Sequence, residues 1–219
     1  AAHSAENTEQ FGVSTSGVSV DGRAVLERVR RERARFVGFV VESVEGFDPE
    51  HRLLGRARFT DDHTLIVDDH TEVKAKSIVI ATGSRPVVPP MFSGIAQRTL
   101  VNDDIFALED LPESIAVFGP GVIGLELGQA LNRLGVKVKV FGRGGALATL
   151  RDPEIRDYAE QTFGEEFYLD TQAEVETLAL KADGSAIEIA YTNVEGKYVQ
   201  EEFDYVLAAT GRVPNVDKL

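Results

Sequence analysis

Three glycines, at 119, 121 and 124, stand in Gly119-Pro120-Gly121-Val122-Ile123-Gly124 with the spacing that lets a main chain cradle a pyrophosphate. Each meets a separate need. Gly119 permits a tight turn, Gly121 lets the backbone approach the phosphates, and Gly124 lets a helix pack close to the strand before it. The free N–H groups and partial positive charge of that helix's N-terminus then bind the anion. The chemistry depends on the elements that flank the turn. Ile115 to Phe118 is a short apolar run, an amphipathic segment continues to Leu134, and Val136 to Phe141 is a second apolar run after Gly135. The order reads as strand, glycine turn, helix, strand, which is the context the motif requires. The plainer alternative is a βαβ unit whose glycines serve packing alone.

Other residues with chemical potential fare less well. Asp-Asp-His-Thr occurs at 61–64 and again at 68–71. Nothing places these two His and four Asp on one face of a regular element, so they read as turns around one short strand and no metal site is expected. The basic run from Arg28 to Arg35 reads as the solvated face of a helix. A net charge of −13 argues against nucleic acid or an anionic membrane as partner. No apolar stretch approaches the roughly 20 residues of a membrane span. The sequence has no Cys, so these residues carry no disulfide and no thiol chemistry. That composition is in keeping with a cytoplasmic location.

The 219 residues, 43% hydrophobic and 27% charged, are enough to bury a core in one or two domains. Asp21 can cap a helix over 22–41, with Val25, Leu26, Val29, Phe36 and Val40 as its apolar face. Strands are expected at 56–60, 65–67 and 76–81, and an irregular, proline-rich crossover at 83–100. Asp152-Pro153-Glu154 opens a helix running to about 163. Strands at 166–169, 173–180, 185–192 and 197–208, with turns at Asp183-Gly184 and Glu195-Gly196, predict an antiparallel meander. The fold class is α/β, a Rossmann-like domain with a parallel sheet and that meander as crossover.

Two further motifs bracket the glycine turn: Ile78-Val79-Ile80-Ala81-Thr82-Gly83-Ser84-Arg85-Pro86, and Val206-Leu207-Ala208-Ala209-Thr210-Gly211-Arg212 followed by Pro214 and Asn215. In this order, with Asn102-Asp103-Asp104-Ile105-Phe106-Ala107-Leu108 and Leu111-Pro112 between them, the chain resembles the flavoprotein pyridine nucleotide–disulfide oxidoreductases, dihydrolipoamide dehydrogenases above all. The resemblance implies a flavin domain interrupted by an NAD(P) domain. Residues 1–110 are then an incomplete flavin-domain segment, 111–210 the NAD(P)-binding domain, and 211–219 the return to the flavin domain. It implies FAD and NAD(P) as cofactors, hydride exchange between them, and a small or protein-bound dithiol or disulfide as the other partner. It also implies a homodimeric parent enzyme. The family's N-terminal FAD fingerprint with its redox Cys pair, and its C-terminal dimerisation domain with a His–Glu pair, have no counterpart here. The chain is therefore expected to be the middle of a larger enzyme, with no catalytic residue of its own.

The resemblance also assigns residues. Gly119, Gly121, Val122, Ile123 and Gly124 correspond to the pyrophosphate turn, and Gly211 to the return motif beside it. Ala81, Thr82, Gly83 and Ser84 correspond to a flavin-contacting turn. Glu126 matches a Glu near the nicotinamide that pairs with a flavin-domain Lys; the alternative is a first-turn acid that complements the helix dipole. Glutathione reductases carry a Tyr lid where this chain has Val122. The strand end that usually bears the ribose-binding acid falls on Gly142, followed by Arg143. Loss of the acid removes repulsion of a 2′-phosphate, and Arg offers it a bidentate fork, which leans the preference toward NADP. Two other functions fit the same motifs: a soluble transhydrogenase-type flavoprotein without a disulfide, and a non-catalytic nucleotide-binding module.

Overall fold

The computed structural model describes residues 1–219. A short helix α1 (Ala2–Glu6) precedes the long helix α2 (Gly22–Glu45). Strands β1 (Ala57–Asp61), β2 (Thr64–Val67), β3 (Thr71–Lys74) and β4 (Ser84–Pro86) follow. A 3-10 stretch, Pro90–Arg98, leads to β5 (Thr99–Leu100) and one turn of helix, α3 (Asn102–Ile105). Then come β6 (Ser114–Phe118), α4 (Val122–Asn132), β7 (Lys137–Phe141), α5 (Pro153–Gly164) and β8 (Tyr168–Asp170). The last elements are β9 (Glu174–Leu180), β10 (Ile187–Thr192), β11 (Tyr198–Phe203), β12 (Tyr205–Ala208) and β13 (Arg212–Pro214). By contacts the chain divides into two compact units, residues 1–30 with 86–211, and residues 31–85 with 212–219.

The first unit is built on a parallel sheet in the order β5-β12-β6-β7-β8. Both faces of this sheet are covered, so its central strands are apolar on both sides. Along β6, Ile115 and Val117 join Leu125 and Leu131 of α4 in one core, while Ala116 and Phe118 join Phe92, Ile187 and Tyr191 in the other. The second core is roofed by the antiparallel meander β11-β10-β9. Helix α5 starts as its sequence predicts: Pro153 occupies the first turn, and the Asp152 carboxylate accepts the N–H groups of Glu154 (2.9 Å) and Ile155 (3.2 Å).

The single strand expected at 197–208 is two strands in two sheets. Asp204 makes the break. Its carboxylate accepts the N–H groups of Glu113 (2.7 Å) and Ser114 (3.1 Å), and its own N–H donates to the Ser114 hydroxyl (3.1 Å). These bonds turn the chain out of the meander and onto the edge of β6. The crossover at 83–100 is also more ordered than expected, because Phe92 and Ile95 are driven under the sheet and are 1% and 0% exposed.

Within the second core, Lys139 donates to the Tyr191 hydroxyl (2.7 Å) and to Glu201, which also accepts from Lys137 (2.9 Å). The Lys139 ammonium lies 4.6 Å from the Tyr168 ring centroid. On the other face, Glu166 takes a two-pronged bond from Arg133 (2.7 Å each) and one from Gln129 (2.8 Å), joining α4 to the start of β8.

In the second unit β1, β2 and β3 form an antiparallel sheet, and β4 pairs with β13. Thr71–Lys74 is a strand where only a turn was expected. Asp68 and Asp69, both with left-handed backbone, make the reversal that lets it pair with β2. Residues 76–81, expected to be a strand, are not one. No strand of the chain offers them a hydrogen-bonding edge, and Val79 is 87% exposed. Helix α2 extends past Val41 to Glu45, but of its expected apolar face only Leu26 is buried; Phe36 and Val40 are exposed. No helix is long and apolar enough to cross a membrane.

Candidate nucleotide-binding site

The parallel sheet places β12 on one side of β6 and β7 on the other, so the strand order reverses at the end of β6. In open α/β sheets ligands bind at such a switch point, beyond the carboxyl ends of the strands. Gly119 to Gly124 lie there.

The three glycines differ in their reasons. Gly119 has φ +111°, and a Cβ on it would sit 2.3 Å from the Ala209 carbonyl oxygen. A Cβ on Gly124 would sit 2.0 Å from the Gly119 carbonyl oxygen. Both are therefore fixed by contact inside the protein. Gly121 faces open space, with nothing within 4 Å of a Cβ, and it is the N-cap of α4. No side chain caps α4 and no acid lies in its first turn. The first helical bond runs from Leu125 N–H to Gly121 C=O (2.9 Å), so the N–H groups of Val122, Ile123 and Gly124 precede it, with no intrahelical acceptor. An uncapped, acid-free helix start beside an open glycine suits a phosphate.

Two loops adjoin this turn. After β12, Ala209 donates its N–H to the Phe118 carbonyl (2.8 Å), and Gly211, with φ +127°, is exposed. After β7, Gly142 is buried and donates its N–H to the Asp170 carbonyl (2.6 Å). Arg143 is exposed and has no hydrogen bond or ion pair. Gly144 and Gly145 follow with left-handed backbone, and Ala148, also left-handed, donates its N–H to the Pro120 carbonyl (2.7 Å). The fold thus brings together Gly119, Gly121, Val122, Ile123, Gly124, Gly142, Arg143 and Gly211. Glu126 is exposed but lies in the second turn of α4, so it is not the first-turn acid that one reading of the sequence expected.

Ala81, Thr82, Gly83 and Ser84 belong to the second unit and form an exposed turn with Gly83 at φ +70°. Asn215 braces it, donating its backbone N–H to the Gly83 carbonyl (3.0 Å) and its side-chain amide to the Thr82 carbonyl (3.1 Å). The Arg212 guanidinium donates to the hydroxyl (2.8 Å) and carbonyl (2.6 Å) of Ser84. Sequence reasoning assigned Arg212 and Asn215 only to the return crossover and missed this bracing. The signal was there: both Ala-Thr-Gly motifs end in residues able to pair as short strands. The turn is open to solvent, with no atom within 4 Å of a Cβ on Gly83.

The aspartates of the repeated Asp-Asp-His-Thr serve their turns. Asp61 accepts the His63 N–H (2.9 Å), which holds its carboxyl below the ordinary value, and Asp68 accepts the Arg56 N–H (2.8 Å). No three His, Cys, Asp or Glu are grouped to hold a metal.

Residues 3–219 match the family model of the pyridine nucleotide-disulphide oxidoreductases, and the chain belongs to that family. It is 31% identical to a dihydrolipoyl dehydrogenase of Haemophilus influenzae over 88% of this chain and 41% of that protein. It is 30% identical to a mercuric reductase of Staphylococcus aureus over 98% of this chain and 39% of that protein. Among solved structures it is similar to the HOCl-induced flavoprotein disulfide reductase RclA of Escherichia coli, with 25% identity, a TM-score of 0.60, and coverage of 75% of this chain and 37% of that one. The chain spans about two-fifths of the length of the two curated relatives.

Proposed function

We propose that this chain binds the nicotinamide nucleotide of a flavoprotein oxidoreductase resembling dihydrolipoyl dehydrogenase. In that enzyme hydride passes between NAD(P)(H) and FAD, with a dithiol or disulfide as the other partner. The observation that carries the reading is the open, uncapped N-terminus of α4 at Gly121, placed at the sheet's switch point. Val122, Ile123 and Gly124 offer their N–H groups to the pyrophosphate, with Gly119 and Gly211 shaping the turn around it. Glu126 stands further along the same helix, toward the nicotinamide end of the site.

The two cofactors supply the redox chemistry; the residues here bind and orient. Residues 111–210 form the nicotinamide-nucleotide domain in this reading, while 1–110 and 211–219 belong to the flavin domain. Ala81, Thr82, Gly83 and Ser84 contact FAD there. The exposed Phe36, Val40, Val79 and Ile80 support the view that further flavin-domain segments cover them in a longer enzyme.

The preferred nucleotide is NADP(H). Gly142 carries no carboxylate to repel a 2′-phosphate, and an exposed Arg143 without an ion-pair partner supports the reading that this guanidinium takes it. Paired calorimetric titrations with NADPH and NADH test this. NADPH should bind tighter, and Arg143→Glu should reduce its advantage by about 10-fold or more, the worth of a charge-assisted bond. An unchanged ratio would remove Arg143 as the phosphate reader. Failure of both nucleotides to bind would remove the nucleotide-site reading for the isolated chain.

A further inference from the structure

Gly142 is glycine for want of room. It is not among the residues with left-handed backbone, so its conformation suits any side chain. A Cβ there, however, would lie 2.6 Å from Cγ and 3.0 Å from Cδ of Pro120, and 2.9 Å from Cα of Thr171. None of these atoms is the free end of a flexible chain. The Pro120 ring cannot swing aside, because its ring closes on its own backbone nitrogen. The Pro120 carbonyl is in turn held by the Ala148 N–H (2.7 Å), and Thr171 is 3% exposed. The end of β7 is therefore closed to any side chain from two sides, and the next residue, Arg143, is the first that projects into solvent.

We propose that Pro120 and Gly142 are an interlocked pair that sets nucleotide preference: Pro120, the nearer of the two neighbours that with the Thr171 backbone fill the space of a side chain at the end of β7, bars a ribose-binding carboxylate from that position. The ligand class selected is the 2′-phosphorylated adenine nucleotides. Pro120, at the variable middle position of the glycine turn, is then a specificity determinant that acts through Gly142, whereas Arg143 contacts the phosphate. This inference rests on the nucleotide-site reading above and adds a residue that spacing alone does not single out.

The test combines a stability cycle with two probes that differ only in the 2′-phosphate, 2′,5′-ADP and 5′-AMP. Gly142→Ala should lower the melting midpoint by about 5 °C, the effect expected of overpacking in a chain of this size. Measured against Pro120→Ala alone, adding Gly142→Ala should cost half of that or less. If Gly142→Ala does not fold, recovery of folded protein in the double variant reads the same coupling. The original chain should bind 2′,5′-ADP at least 10-fold tighter than 5′-AMP, and Pro120→Ala/Gly142→Glu should shift that ratio at least 10-fold toward 5′-AMP. A stable Gly142→Ala, or a penalty that Pro120→Ala leaves intact, overturns the interlock. Coupling without the shift in ratio overturns its role in specificity. Equal binding of the two probes to the original chain overturns the NADP reading on which the proposal rests, and does so even where the steric coupling is found.

Discussion

Gly121 and Gly124, three residues apart, should respond oppositely to the same substitution. A methyl group on Gly124 would meet the Gly119 carbonyl oxygen at 2.0 Å and the Ala209 Cβ at 3.2 Å. Comfortable carbon contacts begin near 3.5 Å. The helix start and the turn, both backbone, must therefore separate by roughly 1.5 Å. That places Gly124→Ala at the upper end of overpacking costs, about 3 kcal/mol, or a fall in melting midpoint of about 6–12 °C. Gly121 has φ −78° and ψ 177°, an extended conformation open to alanine, and its Cβ would meet nothing. Gly121→Ala should leave stability within about 1 kcal/mol, with a small gain from the less flexible unfolded chain. Its methyl would nevertheless occupy the space where a pyrophosphate must approach, so NADPH affinity should fall about 10-fold or more, equal to about 1.4 kcal/mol. Urea unfolding and calorimetric titration on the two variants separate the effects. A Gly121→Ala chain that binds NADPH as before would refute the assignment of the open space to phosphate. A Gly124→Ala chain of normal stability would refute the packing argument.

Three further outcomes follow from the polar contacts. Burial pushes the Glu201 carboxyl up, but hydrogen bonds from Lys139 and Lys137 outweigh it and hold the group below its ordinary value. Folded Glu201 thus binds fewer protons than unfolded, its contribution is full above about pH 4.3 and fades below, and Glu201→Gln should flatten the acid limb of a stability–pH curve. Burial raises the phenols of Tyr168 and Tyr191, so the unfolded chain ionises first and stability should decline as pH climbs past about 10, less steeply in Tyr191→Phe. Asp204→Ala leaves the Glu113 and Ser114 N–H groups without their acceptor and should cost about 1–3 kcal/mol in urea unfolding.

The Rossmann unit was legible because its signals are local. A glycine spacing, two apolar runs and a Pro-led helix cap each depend on a few neighbouring residues, and α4, β6, β7 and α5 all form where they point. The misses share a different cause. Asp204 splits one apolar run into two strands by bonding to residues about 90 positions earlier, which no window of sequence contains. Residues 76–81 have strand composition but no partner edge, and strand formation is a property of pairs. Periodicity predicts the apolar face of α2 but cannot supply the element that would cover Phe36 and Val40. In the site, spacing marks Gly142 only as a missing acid. That Pro120 and Thr171 exclude a side chain there depends on ångström-scale contact across three strand ends.

The late entry of β12 into the interior of the parallel sheet, between β5 and β6, shapes how the chain must be made. Val206 pairs with Ala116 on one side and with Thr99 on the other, so the position between β5 and β6 is filled about 90 residues after β6 is synthesised. At ribosomal speeds of about 5–20 residues per second, β6 waits roughly 5–18 s with one hydrogen-bonding edge empty. During that interval Ile115 to Phe118, all buried in the finished protein, present an apolar strand with an open edge to any neighbour. Yield in the cell should therefore respond to chaperone supply and translation rate more than the final stability of the sheet would suggest.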